Sequence, residues 1–323
     1  MKIYSYMLKA AVLVGINQYE YVNPLFGCEN DASLMFKLLS KQHDGTPNFN
    51  CRLLLSSETQ LTTSELRRHA KELFSKPDLE IALFYFAGHG AKTDHGSFLV
   101  SQDGNFDAEG LLMSELITKA NESSARERII ILDCCHAGAI DKFFSETQRI
   151  SLEQGTSVLA ACRDNETSAE KCGQGLFTTK ICDALAGGAA DVSGSVTVAS
   201  IYAYVDEVLS LWEQRPLFKA NLTKLTAIRE AEPSVSKDKL RRLTDYFKTP
   251  DYKIQLDPSF EPDAEPQNPK NEAIFGDLQR FRGARLVQPD EEEHMYYAAM
   301  NSKSCSLTPL GRFYWERVKA GKI

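Results

Sequence analysis

Residues 81–90 read IALFYFAGHG and residues 128–138 read RIIILDCCHAG, and these two stretches decide the fold. Each contains an apolar run with no charged residue inside it, which is typical of a strand buried on both faces of a parallel sheet. Each run ends in small residues that flank a histidine or a cysteine. Functional side chains of open parallel sheets collect beyond the carboxyl ends of the strands, so chemistry is expected at both places.

The same strand pattern recurs along the first two thirds of the chain and alternates with helical periodicity. Strands are predicted at residues 10–16, 51–55, 81–87, 128–133 and 157–161. Helices are predicted to begin at Asp31, as N-cap, and at Thr62, and to span residues 111–120, 177–186 and 198–211. This alternation predicts an α/β fold, with a mostly parallel central sheet covered by helices on both faces.

The residue composition and the hydrophobic pattern of the sequence change after residue 228. Residues 237–247 form a charged helical stretch, and residues 257–270 hold four prolines among acidic residues, which is typical of a linker. Residues 271–323 regain a hydrophobic pattern. The sequence therefore predicts a large domain at 1–228, a helix and linker at 229–270, and a small C-terminal domain at 271–323, with a winged-helix-like arrangement as one interpretation.

Composition excludes several classes of protein. The chain has 323 residues and a formal net charge of −7, which argues against a basic nucleic-acid surface spread over the molecule. No apolar run approaches the roughly 18 residues of a membrane span. The eight cysteines are scattered without a repeated C-x-x-C, which favours reduced thiols and a cytoplasmic location. The short apolar run at residues 10–16 is interpreted as a strand rather than a signal peptide.

A histidine and a cysteine are expected at one rim of the sheet if the strands at 81–87 and 128–133 are neighbours. Such a pair supplies a thiolate nucleophile and its proton-transfer partner, His89. Side chains alternate along a strand, so Asp133 and Cys135 share a face while Cys134 points into packing. We therefore predict Cys135 as the nucleophile, with the backbone N–H groups of Cys135 and Gly90 as oxyanion donors.

The two strand-end motifs resemble those of a known family. YFAGHG at 85–90 and DCCHAG at 133–138, with Cys135 46 positions after His89, look like the caspase-like cysteine peptidases, and most of all like the metacaspase branch and its bacterial relatives. AVLVGINQYEY at 11–21, FGCENDA at 26–32 and the stretch from SVLAAC to GLFT at 157–178 are similar to other segments of that family. The resemblance covers residues 9–228 and leaves the tail outside.

This resemblance implies a caspase-like fold and a His89–Cys135 dyad that cleaves peptide bonds through an acyl-enzyme. It also implies an acidic specificity pocket built from Asp31 and Asp133, with Cys28 as a buried thiol in its wall. Two carboxylates in a partly buried slot suit a guanidinium, so cleavage after Arg is expected, with Lys second. Metacaspases often have a serine after the G-H-G motif, and this chain has Ala91 there, which removes one polar contact.

Several residues also have simpler interpretations. A zinc site from Cys134, Cys135 and His136 would have poor tetrahedral geometry, because two of its ligands are adjacent. The acidic loop at residues 103–109 misses the D-x-D-x-D-G calcium pattern, so a solvated turn is favoured, with calcium binding as the alternative. No cofactor is otherwise expected. Lys142 and Arg149 lie between the nucleophile and the next strand, and they are candidate sites of self-cleavage.

The expected partners follow from this assignment. They are protein substrates cut after Arg or Lys, and an activating protein that binds the C-terminal domain of a latent enzyme; a membrane is not expected, and nucleic acid is disfavoured. Two alternatives stay open at this point: a non-catalytic adaptor with a caspase-like fold, and a DNA-binding regulator led by the C-terminal domain. The presence of both His89 and Cys135 favours the enzyme.

Overall fold

The computed structural model describes residues 8–94, 96–105, 110–134, 151–161, 170–171, 174–210 and 216–323. The chain divides into two compact units. The first comprises Met1–Ala190 and Ser195–Glu232, and the second comprises Asp191–Gly194 and Pro233–Ile323. Within the described residues, no helix combines the length and the apolar character needed to cross a membrane.

The first unit is an α/β domain, as predicted. Its strands are β1 (Leu8–Gly15), β2 (Phe49–Leu55), β3 (Leu79–Ala87), β4 (Gly90–Thr93), β5 (Gly96–Val100), β6 (Gly110–Leu112), β7 (Glu127–Asp133), β8 (Thr156–Ala160), β9 (Glu170–Lys171), β10 (Gln174–Gly175), β11 (Ser195–Val196), β12 (Leu217–Asn221) and β13 (Arg229–Glu230). Its helices are α1 (Cys28–Leu39), α2 (Thr63–Phe74), α3 (Met113–Asn121), α4 (Leu176–Asp183) and α5 (Val198–Ser210). A π-helical turn, Ala184–Gly188, follows α4.

Six strands form the central sheet in the order β12–β8–β7–β3–β1–β2. The five strands predicted from the sequence are parallel to one another, and β12 is antiparallel to β8. Helices α2 and α3 pack on one face, and α1, α4 and α5 pack on the other. All nine residues of β3 are buried, which explains why the run at residues 81–87 holds no charged residue.

The predicted helix start at Asp31 is wrong. The N-cap of helix α1 is Gly27, four residues before Asp31, because the Asn17 side chain accepts hydrogen bonds from the backbone N–H groups of Cys28 (3.0 Å) and Glu29 (3.4 Å). A side chain eleven residues away in sequence thus satisfies the orphan donors of the first turn. Asp31 consequently lies inside the helix, where its side chain is buried.

The second unit contains α6 (Lys237–Arg241), α7 (Leu243–Tyr246), α8 (Pro269–Gly283), α9 (Met295–Met300) and α10 (Pro309–Lys319). Strands β14 (Ile254–Gln255), β15 (Val287–Pro289) and β16 (Ser304–Leu307) form an antiparallel sheet in the order β14–β16–β15. Phe247, Phe275 and Phe281 are fully buried at its core. The winged-helix-like arrangement stays a prediction.

The structure corrects the linker predicted at residues 257–270 within the helix-and-linker segment 229–270. From Pro233 onward these residues belong to the second compact unit. Leu256 and Phe260 are buried in its core, and Asp257 caps a 3-10 turn over Pro258–Phe260. Pro258 therefore begins a 3-10 turn and Pro269 begins α8, so these two prolines belong to regular elements instead of an extended spacer.

Candidate active site

Strands β3 and β7 are neighbours, so the two motifs that end them meet at one edge of the sheet. Ala87 lies opposite Asp133 in the parallel register, and the Gly88 N–H donates to the Asp133 carbonyl oxygen at 3.2 Å. His89 follows directly. Cys135, the predicted nucleophile, lies outside the described residues, as do His136, Lys142 and Arg149.

Two residues of the loop before α1 hold His89. The Tyr19 hydroxyl accepts the His89 backbone N–H at 2.8 Å, and the two rings lie 4.8 Å apart between centroids. The His89 Nε2 atom lies 2.8 Å from the Asn23 carbonyl oxygen. A carbonyl oxygen only accepts, so this bond assigns the proton to Nε2 and leaves Nδ1 as the acceptor of a neutral imidazole.

The glycines around His89 have different roles. A Cβ on Gly88 would lie 2.6 Å from the Tyr19 hydroxyl oxygen and 2.8 Å from the Phe86 ring, so a side chain there would displace Tyr19. The Val100 N–H donates to the His89 carbonyl oxygen at 3.0 Å, directly before Gly90 pairs with Leu99 in the β4–β5 ladder. The role of the Gly90 N–H as an oxyanion donor stays a prediction.

The alternation of side chains between the two faces of the sheet continues one residue beyond β7, to Cys134. Cys134 is 4% exposed and packs on the same face as Ile130 and Leu132. Ile131 belongs to the cluster on the opposite face. The prediction that Cys134 is a packed thiol is therefore confirmed.

The side chains of Asp31 and Asp133 converge at the start of α4. Asp31 Oδ2 accepts the Gly175 N–H at 2.9 Å. Asp133 Oδ2 accepts the Thr178 N–H at 3.3 Å and the Thr178 hydroxyl at 2.7 Å. A Cβ built on Gly175 would lie 2.6 Å from Asp133 Oδ2 and 3.0 Å from Asp31 Oδ2, so the two carboxylates flank one point.

These carboxylates change the ionisation of their neighbours. Burial, followed by the charges of Asp133 and Asp31, raises the pKa of the Tyr85 phenol well above its ordinary value. Burial and the nearby carboxylates raise the pKa of the Cys182 thiol to about 12. Both groups are thus neutral at physiological pH, and the region around α4 carries a negative field.

Cys28 is buried at the first residue of α1, one helical turn before Asp31. Residues three apart on a helix share a face, so this position agrees with the predicted pocket wall, and its contact with substrate stays a prediction.

The acidic loop at residues 103–109 is described in part. In it, Asp103 accepts from the Thr63 N–H and the Ser101 hydroxyl; residues 106–109 lie outside the described ranges.

Sequence reasoning missed four contributors to this site. Tyr19, Asn23, Gly175 and Thr178 act through backbone groups or through bonds across long stretches of chain. Asn23 contributes only its carbonyl oxygen, so its residue type carries no signal. Gly175 and Thr178 are the first and last residues of the GLFT stretch, so the family resemblance is the sequence signal that indicates them.

A family model for the caspase domain matches residues 8–227. The chain belongs to the caspase-domain family. The match covers the whole central sheet of the first unit, together with His89, Asp31 and Asp133. It ends before Pro233, where the main segment of the second unit begins.

A curated relative of this caspase domain is Metacaspase-4 of Arabidopsis thaliana, 28% identical over 151 residues. That match covers 42% of this chain and 34% of the relative, so the chain spans about a third of the length of the curated relative that it matches. The family to which both belong is one of cysteine peptidases.

Two solved structures share the fold. A protein from Geobacter sulfurreducens matches with a TM-score of 0.51 at 16% identity, over 69% of this chain and 100% of that chain. Caspase-1 from Spodoptera frugiperda matches with a TM-score of 0.50 at 15% identity, over 70% of this chain and 92% of that chain. At this identity the likeness establishes the caspase-like fold of the first unit and no more.

Proposed function

We propose that this caspase-domain protein is a cysteine endopeptidase that cleaves after arginine and, less efficiently, after lysine. The observation that carries the specificity is the convergence of Asp31 and Asp133 on Gly175. Two carboxylates around one slot attract a cation, and the planar fork of a guanidinium can hydrogen-bond to both. An aspartate side chain would be repelled there, so the specificity is opposite to that of an enzyme that cleaves after Asp.

In the proposed reaction, the Cys135 thiol gives its proton to His89 Nδ1. The thiolate attacks the scissile carbonyl carbon, a C–S bond forms, and the oxyanion accepts hydrogen bonds from the N–H groups of Gly90 and Cys135. The C–N bond then breaks, and His89 returns the proton to the leaving amine. Water attacks the thioester, with His89 as general base, and releases the carboxylic acid and the free thiol.

The contacts of His89 support this assignment. The bond from Nε2 to the Asn23 carbonyl oxygen fixes the tautomer, and the Tyr19 hydroxyl fixes the backbone of the histidine. With its proton held on Nε2, the ring offers the basic Nδ1 to a neighbouring thiol. This is the tautomer that a general base next to Cys135 requires.

We further propose that the enzyme is cytoplasmic and latent until an activating signal arrives. Calcium, self-cleavage near Lys142 or Arg149, and a protein bound to the second unit are the three candidates. Assays with calcium and with a chelator test the first of these. Mass spectrometry of the incubated protein tests the second, and a cut near either residue is its expected outcome.

The test of the function is the hydrolysis of three fluorogenic peptides that differ only in Arg, Lys or Asp before the scissile bond. We expect the order Arg, then Lys, with Asp peptides uncut. Asp133→Asn should lower kcat/KM for the Arg peptide at least tenfold, because one of two charge-assisted partners is lost. Asp183→Asn is the matched control, since Asp183 pairs with Lys180 on the surface of α4. Cleavage after Asp would refute the proposed specificity, and so would an unchanged kcat/KM for the Arg peptide in Asp133→Asn.

A further inference from the structure

A chain of buried hydrogen bonds leads from β3 to the carboxylate of Asp133. The Tyr85 hydroxyl lies 2.6 Å from the Thr178 hydroxyl, which in turn lies 2.7 Å from Asp133 Oδ2. Tyr85 and Thr178 are both completely buried. Neither residue belongs to the proposed dyad or to the carboxylate pair.

The direction of this chain of bonds is fixed by counting protons. An ionised carboxylate only accepts, so the Thr178 hydroxyl donates its single proton to Asp133. The Thr178 oxygen must then accept from Tyr85. Burial raises the pKa of the Tyr85 phenol well above its ordinary value, so this donor is present at neutral pH.

One turn of backbone holds both specificity carboxylates. Gly175 is the N-cap of α4 and donates to Asp31, and Thr178, three residues later, donates twice to Asp133. The positive end of the helix dipole favours both negative charges. Since Gly175 and Thr178 lie in one turn, the spacing of the two carboxylates is set by the start of α4.

We propose that Tyr85 and Thr178 are positioning residues that confer preference for arginine over lysine. This inference rests on the proposed peptidase function and deepens it. A guanidinium is a rigid, planar donor, and bridging two carboxylates requires both at a fixed spacing and orientation. An ammonium is a compact point charge on a flexible stem and tolerates a carboxylate that has rotated. Releasing Asp133 from Thr178 should therefore harm arginine binding more than lysine binding.

The test measures kcat/KM for matched Arg and Lys peptides in three variants. Thr178→Val, which keeps the backbone bond to Asp133, should lower the Arg value about tenfold, mainly through KM, and the Lys value by less than about threefold. Tyr85→Phe should lower the Arg value by about three- to tenfold. Thr178→Ser restores the hydroxyl and should restore the Arg-to-Lys ratio, which a purely structural role of the methyl group would not.

A double-mutant cycle tests the order of the chain of bonds. Because Tyr85 is proposed to act only through Thr178, Tyr85→Phe should leave the Arg-to-Lys ratio unchanged when it is added to Thr178→Val. Thr118→Val is the control for a helical threonine, since its hydroxyl donates to the Ser114 carbonyl oxygen within α3. An Arg-to-Lys ratio that stays at the wild-type value in both single variants would overturn the proposal.

A binding measurement separates this inference from the peptidase proposal. Benzamidine, a planar amidinium, is titrated by calorimetry into Cys135→Ala protein and into the same protein with Thr178→Val or Thr178→Ser. Binding that weakens about tenfold with Val and recovers with Ser upholds the positioning role even if no peptide is cleaved. Arg cleavage with an unchanged Arg-to-Lys ratio refutes the positioning role alone, and no benzamidine binding together with no cleavage refutes both.

Discussion

Ala87 and Asp133 lie opposite each other in the register of β3 and β7. His89 is two residues beyond the first of them, and Cys135 is two residues beyond the second. Because parallel strands run in the same direction, this pairing brings His89 and Cys134, the last described residue before Cys135, to one rim. The same rim receives the N-terminal turn of α4, which binds the Asp31 and Asp133 carboxylates.

The space at Gly175 gives the first prediction. In Gly175→Ala the new Cβ would lie 2.6 Å from Asp133 Oδ2 and 3.0 Å from Asp31 Oδ2, so one or both carboxylates must move. We expect kcat/KM for Arg peptides to fall at least tenfold, with a raised KM. Gly276→Ala in α8 is the matched control, because nothing lies within 4 Å of its Cβ position. Equal activity of the two variants would argue against a pocket at this place.

The Tyr19 hydroxyl gives the second prediction. Tyr19→Phe removes the acceptor of the His89 backbone N–H while keeping the ring next to the imidazole. A donor left unsatisfied costs about 1–3 kcal/mol, and we expect kcat to fall several-fold as His89 loses its fixed position. Tyr21→Phe is the control, since that side chain is 58% exposed. A loss of melting temperature without any change in kcat would reduce Tyr19 to a structural role.

Histidine 69 gives a prediction about pH. Burial on α2, followed by the charges of Arg52 and Arg68, lowers the pKa of His69 below its ordinary value, and the neighbouring glutamates oppose this less strongly. In the unfolded chain the His69 imidazole binds a proton with a pKa of about 6.5, whereas in the folded protein it binds that proton only at a lower pH. The free energy of unfolding should be unaffected by this group above about pH 7 and should fall as the pH drops below about 6.5.

Urea unfolding at pH 5, 6, 7 and 8 measures this effect. His69→Gln removes the titrating group, so its unfolding free energy should decline less between pH 7 and pH 5 than that of the wild type. His43→Gln, at an exposed position, should follow the wild type. If His69→Gln and wild type lose stability in parallel, His69 is not the source of the acid sensitivity.

Asp277 gives a prediction about the second unit. This carboxylate is 4% exposed and accepts from Lys239, Arg242 and Tyr246 at 3.1, 2.6 and 2.8 Å. Asp277→Ala leaves these donors without their shared acceptor, but Lys239 and Arg242 are partly exposed and can turn to water, so we expect a loss of about 1–3 kcal/mol in the stability of the second unit. Asp238→Ala, at an exposed pair on α6, should cost less than about 1 kcal/mol.

Trp315 reports this unfolding directly. Its side chain is buried in the second unit, and its ring N–H donates to the Phe247 carbonyl oxygen at 2.7 Å. In a Trp212→Phe background, Trp315 is the only tryptophan, so its fluorescence follows urea unfolding of this unit. Similar midpoints for Asp277→Ala and Asp238→Ala would contradict the assigned role.

The parallel strands are predictable from the sequence because burial on both faces leaves a continuous apolar run, at 81–87 within β3 and at 129–132 within β7. The sequence leaves open whether these two strands are neighbours, and the register shows that they are adjacent. Strand β12 was missed. It lies at the sheet edge and reads LFKAN, with a lysine and an asparagine that weaken the pattern.

The errors arose where distant residues decide local structure. Asn17 supplies the cap of α1 from another segment, so Asp31 was misread as the start of the helix. Pro258 follows Asp257 in a packed turn, and the aromatic ring of Phe260 is buried, whereas the surrounding composition alone is that of a linker. The assignment of Asp31 and Asp133 to one pocket came from the family resemblance, and their contacts with Gly175 and Thr178 could not be read from spacing.

The most direct test of the central claim is covalent labelling with a peptidyl arginine acyloxymethyl ketone, followed by mapping of the adduct by mass spectrometry. The thiolate displaces the carboxylate leaving group and forms a stable thioether. We predict a single adduct on Cys135, lost in Cys135→Ala and unchanged in Cys134→Ala, and no adduct with the matching aspartyl ketone. Labelling of a different cysteine, or equal labelling by the aspartyl reagent, would contradict the account.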